Sequence, residues 1–216
     1  MTLRKWFIVG GMLALAGFAN AAVTYTGSLS TDGFDPGLTG NGVWAAGVNL
    51  SWTVKDLGSM WSYEYTLSVP QKDISHIIIE VSDTDIWIND NVTNFVVDVY
   101  SSTSQGGSNP GIPGSLTGVK YNVNGVMSYT ISFTTNRIPV WGDFYAVDGQ
   151  NPNQPIPYVF NKGFLDDDPI APPSDGSIGY HILRPDSVII VPVPGAILLA
   201  AMGTGLVGYL RHRTVI

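Results

Sequence analysis

The chain has no cysteine, only three histidines and only two glutamates among its 216 residues. Without cysteine there is no disulfide framework and no thiolate nucleophile, so packing and hydrogen bonds, with or without a metal, must hold the fold. His76, His181 and His212 are the only imidazoles, and neither of the first two lies near a Gly-x-Ser-x-Gly element. Phosphate loops, dinucleotide fingerprints and zinc-ligand spacings are also absent. Basic residues are equally scarce in the body of the chain. Between residues 23 and 188 only Lys55, Lys72, Lys120, Arg137, Lys162 and Arg184 face seventeen acidic residues, a net charge of −11. That balance disfavours nucleic acid or an anionic membrane surface as a partner. No segment reads as a long amphipathic helix, while Gly, Pro, Asn, Ser and Thr are plentiful.

What is present is organised around two apolar terminal segments. Residues 1–22 carry Arg4 and Lys5, an apolar core over 6–18, and small residues at Ala19, Ala21 and Ala22. This is the pattern of a signal peptide, exported through the Sec translocon and cut by signal peptidase; the core, about 13 residues, is short for a permanent span. At the other end, residues 195–210 carry no charge and are followed by Arg211 and Arg213. Sixteen helical residues extend roughly 24 Å, just under a hydrocarbon core of roughly 30 Å. Pro192 and Pro194 must then sit in the first turn of that transmembrane helix or before it. The basic residues at both ends belong on the cytoplasmic side, which puts the segment between them across the membrane. The expected organisation is a signal peptide at 1–22, one domain at 23–187 and a tail at 188–216.

The tail resembles the PEP-CTERM sorting signal of Gram-negative bacteria, in which a Val-Pro-Glu-Pro-like motif precedes a small-residue-rich helix and an arginine cluster. Val191, Pro192, Pro194 and Gly195 carry the motif, with Val193 in place of the glutamate. Gly203, Gly205, Leu206 and Gly208 match the helix, and Arg211 and Arg213 the cluster, interrupted by His212. The resemblance covers about an eighth of the chain. It implies recognition by an exosortase-type membrane protease and delivery to the cell envelope or the exopolysaccharide matrix. Trp141-Gly-Asp-Phe-Tyr145, Tyr63-Glu-Tyr65 and the run 75–82 resemble segments of other PEP-CTERM proteins and imply no activity. A plain membrane anchor is the alternative for the tail.

The body reads as strand almost throughout. Residues 48–54 and 61–69 alternate apolar and polar with a period of two, a predicted hairpin ended by Pro70. Residues 74–81 form an apolar run fit for a buried strand, and 95–100, 140–147, 158–160 and 179–183 are further strands. Asn124-Gly125 between 119–123 and 127–133 predicts a type I′ hairpin. Uncharged 101–115 and proline-rich 166–176 read as long loops. Strands at this spacing predict an antiparallel β-sandwich of jelly-roll type, with a closed barrel as the alternative.

Three chemistries remain. His76 and Glu80 have helical metal-pair spacing, but the isoleucines between them favour strand, where four residues span about 13 Å. Asp83, Asp85 and Asp90, or Asp166, Asp167 and Asp168, offer hard oxygens for Ca²⁺, although neither set completes a calcium loop. Glu64 and Glu80 are the only glutamates available as a glycosidase pair, and sequence spacing does not bring them together. Trp87, Trp141 and Tyr145 could stack against a sugar ring, or fill the core as most aromatics in strand-like runs do. No catalytic motif emerges. The expectation is a structural or polysaccharide-binding envelope protein, with a carbohydrate-active enzyme as the competing class.

Overall fold

The computed structural model describes residues 22–82, 95–103, 109–149 and 155–189. Residues 1–21 of the signal segment and 190–216 of the sorting tail, together with Asp83, Asp85, Trp87 and Asp90, lie outside the described residues. Among the described residues no helix is long and apolar enough to cross a membrane.

Strand alternation produces three antiparallel sheets. β1 (Thr24–Ser30), β3 (Asn49–Asp56), β4 (Trp61–Ser68) and β8 (Ser128–Thr135) form one, in the order β1-β3-β4-β8. β2 (Leu38–Gly40), β11 (Tyr158–Asn161), β10 (Phe144–Asp148), β5 (Ile74–Glu80), β7 (Leu116–Val126) and β6 (Phe95–Tyr100) form a second, in that order. β9 (Arg137–Gly142) pairs with β12 (Ile182–Ile189) as a two-stranded ribbon. The predicted hairpin of residues 48–69 is β3–β4, in register from Asn49 opposite Ser68 to Asp56 opposite Trp61.

The main core joins the sheets through aromatic rings. Tyr63 and Phe133 of the first sheet stack at 5.3 Å, and Phe133 meets Tyr121 of the second at 6.3 Å. Two buried tyrosines then tie in the ribbon: the Tyr63 hydroxyl donates to Arg137 O at 2.9 Å and the Tyr65 hydroxyl to Leu183 O at 2.8 Å. The six-stranded sheet is buried on both faces. Ile77 and Ile79 enter the main core, whereas Ile78 joins Tyr100, Leu116, Tyr145, Val147 and Phe164 in a second cluster. This two-sided burial accounts for the uninterrupted isoleucine run, each residue contributing roughly 1.5–3 kcal/mol by leaving water.

Two expectations are corrected. Asn124-Gly125 does not turn a hairpin, because β7 pairs with β5 and β6 while β8 pairs with β4. Gly125 does take a positive φ of 64°, but inside β7, where the register against β5 slips between Ile74 and His76. The positive φ makes a bulge, and the chain then changes sheets at Met127, whose carbonyl accepts from Val69 N at 2.8 Å. The run 140–147 is likewise two strands rather than one, broken at Asp143 between the ribbon and the six-stranded sheet. That break builds the site described next.

Candidate functional site

The ends of five segments converge where the ribbon meets the six-stranded sheet. β5 ends in Glu80, the β9–β10 break supplies Asp143, β11 ends in Asn161, the following loop supplies Asp168, and β12 carries Arg184. His181 stands at the entry to β12, after a tight turn in which His181 N donates to Ile178 O at 3.0 Å. The central residues of that turn, Gly179 and Tyr180, have φ of 57° and 65°, the left-handed pair of a type I′ turn. Tyr180 is held in this costly conformation beside Asp35, which accepts hydrogen bonds from the Tyr180 hydroxyl and from Lys162 Nζ.

Close backbone approach is a condition of the site. A Cβ on Gly142 would lie 2.1 Å from Arg184 Nε and 2.5 Å from Glu80 Oε2. One on Gly163 would lie 2.3 Å from Gly179 O and 2.7 Å from His181 Cε1. Only glycine leaves room at these two positions for the charged side chains to meet.

Each polar group is oriented by a specific partner. Asp143 N donates to Glu80 Oε2 at 2.7 Å, and Glu80 N donates back to Asp143 O at 3.0 Å. Phe144 N donates to Asn161 Oδ1 at 3.0 Å, which turns the amide so that Nδ2 donates to Asp143 Oδ1 at 2.6 Å. Arg184 Nη2 lies 2.7 Å from Asp168 Oδ2 and 3.3 Å from Glu80 Oε1, and Nη1 donates to Ser82 Oγ at 2.6 Å. Ser82 in turn donates to Asp186 at 2.6 Å. Burial pushes the Glu80 carboxyl up to about 7, with Arg184 opposing the rise. Burial also raises Asp143, against the hydrogen bond from Asn161. Glu80 and Asp168 thus share one guanidinium with Asp143 close by, and the unfavourable desolvation of charge appears in the raised carboxyls of Glu80 and Asp143.

His181 completes the cluster. Its side chain is 1% exposed, and Nε2 faces Asp143 Oδ1 at 3.6 Å and Asp168 Oδ1 at 3.8 Å. Nδ1 lies 3.2 Å from Ile178 O. Asp143, Asp168 and His181 each offer a ligand atom, all within 4.8 Å of one another.

The residues singled out from the sequence are placed unevenly. Asp168 faces the cluster, whereas Asp166 and Asp167 are exposed and take no part in it, so the three consecutive aspartates do not act as one ligand set. Trp141 and Tyr145 are 1% and 0% exposed. Neither ring offers a face to a sugar: Trp141 packs in the main core and Tyr145 in the second cluster, with its hydroxyl on Pro110 O at 2.6 Å. Glu64 is exposed on the outer face of the first sheet, paired across it with Thr53 and Ser132, while Glu80 is in the cluster. The two glutamates are not brought together as a catalytic pair. His76 and Glu80 are four residues apart along β5, and His76 bonds Asn109 instead of a metal partner.

Asp143 and Arg184 were not picked out from sequence. The available signal was a lone aspartate inside the apolar run 138–147, immediately after Gly142, and an arginine directly after Ile182 and Leu183. A charge inside a buried strand-like run needs a partner, and here the two are partners in one network. No family model, curated protein or solved structure matches the chain. Fold and site together define an all-β antiparallel protein with a buried carboxylate–imidazole–guanidinium cluster at a sheet junction.

Proposed function

We propose that this chain is an exported β-sandwich protein of jelly-roll type, sorted by its C-terminal tail to the cell envelope or extracellular matrix, where it has a structural or polysaccharide-associated role. The observation that carries the reading is the fit between body and termini. The first strand begins at Thr24, two residues after Ala22, and the last ends at Ile189, two residues before Val191. The described strands therefore lie within the interval between the signal-like segment and the proline motif, as expected of a passenger carried between an export signal and a sorting signal. Its excess of acid over base and lack of cysteine suit a soluble passenger outside the cytoplasm that folds without disulfides.

The partners on this reading are the Sec translocon, signal peptidase and an exosortase-type membrane protease. The tail would span the inner membrane until Pro192 and Pro194 are recognised, with Arg211 and Arg213 holding its end in the cytoplasm. For a polysaccharide, support comes from a groove of about 460 Å³ beside the Tyr180 turn, lined by Ser28, Ser30, Asp32, Asp35, Ser177 and Tyr180. Its hydroxyls and carboxylates suit a hydroxylated ligand better than an apolar one. The test is the intact mass of the native protein recovered from its own cells. Loss of residues 1–22 and of the segment beyond the proline motif is expected. In a Pro192→Ala, Pro194→Ala variant the tail should persist in the inner membrane. A native mass that still includes Ile216 rejects sorting and leaves a plain anchor.

A further inference from the structure

We propose that Asp143, Asp168 and His181 form a binding site for a divalent transition-metal ion such as Zn²⁺ or Mn²⁺, with at least one coordination position open to water or ligand. The tautomer of His181 carries the argument. Ile178 O can only accept a hydrogen bond, so Nδ1 at 3.2 Å is the protonated nitrogen. In the neutral ring Nε2 then presents a lone pair, without any hydrogen-bond partner, to two carboxylate oxygens. A buried lone pair aimed at two carboxylates is repulsive unless a cation lies between them. At 3.6 Å and 3.8 Å neither carboxylate oxygen makes a hydrogen bond to Nε2. A tetrahedral metal with bonds of about 2.1 Å needs its ligand atoms about 3.4 Å apart; the imidazole lies close to that from each carboxylate, and the three atoms, within 4.8 Å of one another, must draw in around the ion.

The surroundings match what a metal requires. Each ligand has a second partner that fixes its direction: Asn161 Nδ2 on Asp143, Arg184 Nη2 on Asp168 and Ile178 O on His181. Charge balance points the same way. Glu80, Asp143 and Asp168 outnumber the single guanidinium of Arg184, and a divalent cation would offset that surplus of acidic groups. One imidazole and two carboxylates form a mixed nitrogen–oxygen set that suits Zn²⁺ or Mn²⁺; Ca²⁺ prefers six to eight oxygens. The Asp168 side chain is 34% exposed while His181 and Asp143 are 1% and 9% exposed, so the open position lies on the Asp168 side.

The test is titration calorimetry of Zn²⁺ into the full chain, purified in detergent and stripped with EDTA, in a His212→Ala background that removes the third histidine. One Zn²⁺ per chain is expected, with Ca²⁺ binding at least tenfold more weakly. His181→Ala should abolish the binding. Asp168→Asn, which keeps an acceptor for Arg184 and lies on the open side, should weaken it at least tenfold in a protein whose cooperative metal-free melt shows that it is folded. Asp166→Asn with Asp167→Asn should leave it intact. Absence of Zn²⁺ and Mn²⁺ binding by the parent chain would overturn the proposal. So would unchanged binding in folded Asp168→Asn, or loss of binding on removing Asp166 and Asp167.

Discussion

His76 and His181 are equally hidden, 4% and 1% exposed, yet they stand in opposite electrostatic settings. His76 Nε2 meets the Asn109 Oδ1 acceptor at 3.0 Å, so it donates, and Asn109 Nδ2 donates onward to Ser101 O at 3.3 Å. Among the described residues its charged influence is repulsive: burial first and Lys120 second push it down to about 4, so the ring is neutral at physiological pH. His181 has a backbone carbonyl on one nitrogen and two carboxylates before the other. A buried imidazole satisfied by a neutral amide is a structural part; one facing surplus negative charge is a ligand in waiting. The difference lies entirely in the neighbours, which is why the two could not be told apart by counting histidines.

The largest effect should come from breaking the charged region itself. Replacing Arg184 with Met removes the one guanidinium beside Glu80, Asp143 and Asp168, and loss of one partner from a buried ionic network costs about 3–5 kcal/mol. Urea unfolding at pH 7 measures this; a loss under 1 kcal/mol would mean that the cluster is far better solvated than its burial implies.

His76 gives the next largest effect, and its sign follows from the depressed pKa. The unfolded chain takes up the proton first as pH falls, so the neutral ring's contribution is whole above 6.5, is lost between 6.5 and about 4, and does not change further below that. A drop of about 2.5 pH units corresponds to a loss on the order of 3 kcal/mol. Wild type should lose that much more stability across this window than His76→Gln. Parallel pH profiles for the two proteins would remove His76 from the account.

Metal should separate the two histidines in the other direction. At a hundredfold excess over Kd, Zn²⁺ stabilises the folded state by about 2.7 kcal/mol, or roughly 5–10 °C in Tm for a chain of this size. Thermal melts with and without Zn²⁺ should show the shift in wild type and in His76→Gln but not in His181→Ala. Smallest of all, Asp166→Asn and Asp167→Asn should change stability by less than about 0.5 kcal/mol, as exposed loop substitutions do. A larger change in the same melts would place these two carboxylates in the cluster after all.

How much of this was legible beforehand depended on how local the cause was. β3, β4 and β5 were readable because alternation and β-branching act within one strand, and their burial patterns repeat the sequence pattern. β1 was missed because Thr24–Ser30 has only Leu29 fully buried; it is held mainly by pairing with β3 along its whole length. The Asn124-Gly125 signal was read correctly as a positive φ and wrongly as a hairpin, since local turn chemistry cannot say which sheet the next strand joins. The cluster was the least visible part. Asp143, Asp168 and Arg184 are brought together by the β9–β10 break and the loop after β11, contacts that no spacing along the chain encodes. The buried rings of Trp141 and Tyr145 show the converse limit: an aromatic in a strand-like run looks the same whether it faces the core or a ligand.

The most direct test of the central claim is an anomalous difference map, at the zinc absorption edge, from crystals of the full chain soaked in Zn²⁺ near pH 7. A peak is expected about 2.1 Å from His181 Nε2 and bonded to Asp143 and Asp168, with none at His76. A well-ordered His181 with no peak beside it, in crystals that bind Zn²⁺ elsewhere, would contradict it.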